Sequence, residues 1–239
     1  MMPARLAATV LCLLLPVTGW ADEARRTGDS QVRLDWTGCY VGIQAGGLFS
    51  RQEWLNRTPG GAFYGVSLGD HTASGWLAGG QAGCDYQFPN GVVLGVQGDY
   101  AWSDADGSHP STRETGVVYG SDVTALASMT GRIGYSWDRV LAYVDAGAAW
   151  QRDDYWATTT RLGTAYRGSE TRQGWTLGAG GEYALTELLS GFVGVRYYQF
   201  GSPEIGLTPQ IAGLRRAYVD LDESTVVVRA GLNLRLRMK

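Results

Sequence analysis

The side chains best equipped for chemistry are ionic. Asp85, Asp99, Asp145 and Glu182 stand against Arg132, Arg196, Arg229 and Arg235, in equal number. Arginine forks onto carboxylates, so such a set can form a paired internal network. It could also line an ion path or supply a catalytic acid. A second candidate is His71-Thr72-Ala73-Ser74. An imidazole beside a hydroxyl suits acyl transfer, but no carboxylate nearby is placed to orient the ring. The other histidine is His109. A third candidate is the pair Cys39 and Cys84, open to a disulfide in an exported chain or to service as two small lipid-facing residues. There is no Cys/His metal spacing, phosphate loop or catalytic carboxylate pair, so no cofactor, metal or catalytic residue is expected.

What positions these residues is a rhythm of alternating stretches rich in glycine and aromatics. Eight strands are predicted, at about 36–47, 74–88, 92–103, 122–136, 140–150, 172–185, 189–200 and 223–236. Period two sends the eight ionic residues to one face with Gly, Ser and Thr. It sends aliphatics such as Val41, Ile43, Leu94, Val96, Val144 and Leu177 to the other. Three connections are short: Pro89-Asn90-Gly91, Trp137-Asp138-Arg139 and Thr186-Glu187-Leu188. Asn-Gly tolerates the positive φ that a tight turn needs. Four are long, at 49–73, 104–121, 151–171 and 201–222.

Charges inside and grease outside invert a soluble barrel. The reading is all-β: an eight-stranded antiparallel up-and-down transmembrane β-barrel, with short periplasmic turns and four long extracellular loops. Aromatics near both strand ends, among them Trp36, Tyr86, Tyr135 and Trp137 at one end and Trp76, Trp102 and Trp175 at the other, suit two interfacial belts. At this strand number side chains fill the interior, so the ionic residues are read as a plug.

Residues 1–21 read as a signal peptide: Arg5, an apolar run, then Gly19-Trp20-Ala21. A flexible periplasmic lead spans 22–35, the barrel 36–236 and a C-terminal extension 237–239. The chain has 239 residues, 35 of them glycine, and a formal charge of -3. With no basic tract, nucleic acid is a poor partner.

Trp36-Thr37-Gly38-Cys39-Tyr40-Val41-Gly42 resembles the opening strand of the small outer-membrane β-barrel surface-antigen family, the porin family or OmpA-like outer-membrane protein beta-barrel domain. The resemblance continues through Gly79-Gly80-Gln81-Ala82-Gly83, Gly131-Arg132-Ile133-Gly134-Tyr135 and Val228-Arg229-Ala230-Gly231-Leu232-Asn233. It implies a cell outer-membrane location and a role in envelope integrity, surface interaction or antigenicity, with no catalytic residues carried over. Implied partners are outer-membrane lipid and lipopolysaccharide, the outer-membrane assembly machinery and an extracellular ligand met by the loops. A small diffusion porin and an outer-membrane lipid-modifying enzyme stand as alternatives. Two departures stand out: Cys39 replaces the family's aromatic residue, and Leu236 stands where the closing strand usually ends in one.

Overall fold

The computed structural model describes residues 34–56, 65, 67–111, 116–159, 163–201, 204–209 and 217–236. The signal segment 1–21, most of the lead 22–35 and the extension 237–239 lie outside the described residues. Among the described residues nine strands follow one another: β1 Gly38–Asn56, β2 Ser67–Gln87, β3 Val92–Pro110, β4 Val117–Trp137, β5 Val140–Thr159, β6 Gly163–Ala184, β7 Leu189–Phe200, β8 Glu204–Pro209 and β9 Ala217–Leu236. From β1 to β7 each strand pairs antiparallel with the next, β9 pairs with both β7 and β8, and β1 pairs with β9 to close the ring. Both β7 and β8 pair with β9, so together they form the seventh of eight staves. Closure leaves no strand edge to face lipid, where unpaired backbone groups would find no water. Among the described residues no helix is long and apolar enough to cross a membrane.

The turns follow their chemistry. Gly91 takes φ 88° at the first, and its N–H donates to the carbonyl of Phe88 at 2.9 Å. Asp138 takes φ 51° at the second. At the third, the Thr186 hydroxyl accepts from the N–H groups of Leu188 and Leu189 at 3.2 and 2.9 Å.

The strands run well past the expected boundaries. β2, for example, has 21 residues and β6 has 22, whereas about 9 to 11 suffice to span a bilayer. Twenty residues rise roughly 65 Å along the strand and about 50 Å along a tilted barrel axis, twice the ~25 Å apolar band. Much of the four stretches expected as long loops is therefore paired wall: 49–56 and 67–73 belong to strands, as do 104–110, 151–159 and 217–222. The inward alternation continues there as Ala149, Gln151, Asp153, Tyr155 and Ala157, all buried, which keeps the ladder worth forming outside the bilayer.

The outer surface carries the apolar band, with Ile43, Val96, Met129, Ile133, Val144, Leu177 and Val193 all exposed. Aromatics edge it on both sides. Tyr86–Phe88 and Tyr135–Trp137 make ring contacts at the turn end, and Tyr100–Trp102 and Trp175–Tyr197 at the other. Trp36 is a correction to the expected belt. It is fully buried inside the barrel, its backbone N–H donating to the Gln87 Oε1 at 2.8 Å. Gly38, at φ 143°, breaks the extended chain there and lets it turn inward.

Ala146 lies in mid-band on the lipid face, paired with Gly131 and Leu177. Ala146→Arg is expected to destabilise the folded barrel by about 2–4 kcal/mol. Urea titration in lipid vesicles, followed by the mobility shift between folded and unfolded bands, measures it.

Candidate functional site

The lumen holds the ionic residues, stacked in layers. In the layer nearest the short turns, the Arg132 Nε donates to Asp85 Oδ1 at 2.7 Å and its Nη2 pairs with the other carboxylate oxygen. Arg132 also reaches Glu182 at 3.5 Å, and Arg235 pairs with Glu182 at 2.9 Å. Ser190 and Asn233 donate to the same Glu182 oxygen. Arg132 sits over the rings of Tyr40 and Tyr143 at 4.8 and 5.1 Å, and Arg235 covers Trp36 at 4.2 Å. These contacts tie β1, β2, β4, β5, β6, β7 and β9 together across the bore.

Further along, Arg196 donates through Nε to Asp145 at 2.8 Å and pairs through Nη1 with Asp99. The same Nη1 donates to Ser128 at 2.7 Å. Arg229 donates to Gln44 at 2.8 Å and lies 3.6 Å from Asp99. The structure thus gathers Asp85, Asp99, Arg132, Asp145, Glu182, Arg196, Arg229 and Arg235 into two adjoining clusters, each with two carboxylates and two guanidiniums. A buried charge is tolerated only when so paired.

Inward glycines make room for these side chains. A methyl group at Gly180 would fall 2.6 Å from the Tyr143 hydroxyl, so the large ring is accommodated only because no Cβ opposes it.

Two features of the lumen escaped the sequence reading. The first is an apolar layer above the ion pairs, built from Leu48, Leu77, Leu126, Tyr198, Phe200 and Val227 with smaller neighbours. The lumen is therefore not polar throughout. The second is another buried polar cluster beyond that layer. Arg172 pairs with Asp153 at 2.8 Å and with Glu223. Glu223 also accepts from Ser50 and from Gln151, the latter at 2.7 Å, and the Tyr155 hydroxyl donates to Asp153 at 3.1 Å. Asp153 had been assigned to a loop; alternation with Gln151 and Tyr155 was the available signal.

The histidines do not lie in loops. His71 is on β2 opposite Gln52, and Ser74 is opposite Phe49. His109 is on β3, buried, its ring stacked 5.8 Å from that of Tyr119. Among the described residues no group of three or more His, Cys, Asp or Glu is placed to hold a metal ion.

Cys39 and Cys84 are direct cross-strand partners on β1 and β2, and they are disulfide-bonded. Denatured, unreduced mature protein is expected to show no maleimide labelling, and reduced protein to label at both positions. Two reactive thiols in unreduced material would contradict the bond.

A closed antiparallel ring, greasy without and ionic within, defines an outer-membrane β-barrel. The chain belongs to the family of outer membrane protein beta-barrel domains, which matches residues 13–233, and its place is the cell outer membrane. It is 32% identical over 173 residues to the 31 kDa outer-membrane immunogenic protein of Brucella melitensis, a match covering 64% of this chain and 66% of that one. The chain thus spans just under two thirds of that relative's length. The 25 kDa outer-membrane immunogenic protein of Brucella canis is 29% identical over 176 residues, covering 73% of this chain and 70% of that one. Among solved structures, outer membrane protease OmpT of Escherichia coli shares the fold at TM-score 0.53 and 10% identity, covering 87% of this chain and all of that one.

Proposed function

We propose that the protein is a closed, non-enzymatic barrel that reinforces the outer membrane and presents its protruding wall and connecting loops for surface contacts. The observation that supports this reading is the succession of side-chain layers along the bore: two paired ionic clusters, an apolar layer and a third polar cluster. An eight-stranded barrel has room for its own side chains and little else. Cross-bore ion pairs also tie distant staves together, which suits a rigid envelope element. Lipid and lipopolysaccharide would surround the aromatic-edged band, and the assembly machinery would insert it. The relatives named as immunogenic outer-membrane proteins support a surface-exposed role.

Liposome swelling tests the closed state. Vesicles carrying the protein are expected to swell in isosmotic arabinose no faster than empty ones. Swelling at a porin's rate would overturn the proposal in favour of a diffusion pore.

A further inference from the structure

The wall above the upper aromatic belt carries a cleft of about 790 Å³, a size suited to a small organic ligand. It is lined by Trp156, Asp122, Asp154, Arg167, Ser169 and Thr208, among others. The ladder changes partner beside it: β6 pairs with β7 up to Gly174 opposite Phe200, and with β8 at Arg167 opposite Thr208.

Trp156 is the centre of the cleft. It is paired with Gly120 on β4 and lies over it so closely that any Cβ at Gly120 would strike the six-membered part of the indole. Its side chain shares the cleft lining with the Asp122 carboxyl. A ring seated on a glycine is preorganised, with little entropy left to lose on binding.

The charges choose the ligand. Asp106, Asp122 and Asp154 are successive cross-strand partners on β3, β4 and β5. Against them, the described lining brings one guanidinium, Arg167. Burial, and then Asp106 and Asp154, hold the Asp122 carboxyl above its ordinary range, as expected where like charges crowd. Anions are disfavoured there. A metal ion is disfavoured too, because the described acids do not converge into a coordinating group. Hydroxyl donors remain: carboxylates accept from them, and Ser169, Thr208 and Arg167 can bond the ring and glycosidic oxygens. Trp156 lies six residues beyond Trp150 on β5, and Trp150 is level with the belt residue Tyr100, both pairing with Ala127. Those six residues span about 15 Å along the axis of a tilted barrel, reaching the level of the sugar layer of the outer leaflet.

We propose that this cleft binds an uncharged or amino-bearing sugar unit, with the C–H face of the sugar on Trp156 and its hydroxyls on Asp122 and Asp154. The proposal deepens the surface-contact reading above and rests on it. Two sources carry such units, the lipopolysaccharide around the barrel and soluble glycans outside the cell.

The test uses full-length mature protein refolded in detergent micelles, with tryptophan fluorescence and saturation-transfer NMR as readouts. The probes are delipidated core oligosaccharide from the bacterium's own lipopolysaccharide, with and without its phosphates, and two soluble glycans, maltoheptaose and chitosan tetramer. At least one probe is expected to bind. Trp156→Ala should weaken that binding about tenfold or more, and Trp156→Tyr should hold it within about threefold, with folded-band mobility unchanged in both. Preference for the core oligosaccharide assigns the source to lipopolysaccharide; preference for a soluble glycan assigns it outside. Binding that survives Trp156→Ala unchanged overturns the cleft while leaving the surface-contact reading intact. So does stronger binding of the phosphorylated core than of its dephosphorylated form. No binding by any probe overturns the saccharide proposal; the swelling assay judges the closed barrel separately.

Discussion

Arg132→Met will lower the unfolding free energy of the barrel by about 3–5 kcal/mol. Arg132 is the fork that neutralises Asp85 and reaches Glu182, and all three are buried. Methionine fills similar space and cannot pair, so the two carboxylates of the cluster share one remaining guanidinium, Arg235, which lies 2.9 Å from Glu182 and 3.6 Å from Asp85. Of the two rings that flank the guanidinium, Tyr143 loses the Arg132 contact and Tyr40 keeps Arg235, 5.6 Å from its ring. Removing Asp85 together with Arg132, as Asp85→Leu with Arg132→Met, should recover part of the loss, because no unpaired charge of that pair remains. Urea-dependent band shifts of the single and double variants in the same vesicles measure both. Equal loss in the single and double variants would show that the pairing contributes nothing.

The second large effect separates inside from outside among residues of like chemistry. Leu126 is 2% exposed in the apolar lumen layer, while Met129, three residues on, is 64% exposed on the lipid face. Leu126→Ala should cost about 2–5 kcal/mol, because the packed layer cannot close over the void. Met129→Ala should cost well under about 1 kcal/mol, since acyl chains fill whatever space is vacated. The same unfolding assay serves. Equal costs at the two positions would mean that the lumen is not packed at Leu126.

This contrast also shows where the sequence was legible. Period two placed Ser128, Thr130 and Arg132 inward and Met129, Ile133 and Tyr135 outward on β4, and burial follows that alternation. It could not carry across the irregularity between Val123 and Ala125, where the register shifts. On either side of it, Val123 and Leu126 are both buried despite their opposite parity. A bulge flips every side chain beyond it, and no composition signal marks this one. The upper ionic cluster was missed for a different reason. Asp153, Arg172 and Glu223 lie beyond or at the edge of the stretch needed to cross a bilayer, and a boundary set by membrane thickness stops there. The ladder is set by backbone pairing and lumen packing, and both continue. Trp36 misled by its type: an aromatic at a strand end suits an interfacial belt, but its parity with Gly38 and Tyr40 already pointed inward. The lumen partners were legible as a set of residues because buried charge must be paired, whereas which carboxylate meets which guanidinium depends on stagger that one sequence does not reveal.

On the proposed reading, side chains close the bore from end to end. Single-channel recording of the purified, disulfide-bonded mature protein in planar bilayers decides it. Insertion, established by heat-modifiable mobility of the recovered protein, is expected with a baseline free of stable ohmic steps. Reproducible, long-lived steps that scale with salt concentration would show an open path and overturn the closed bore.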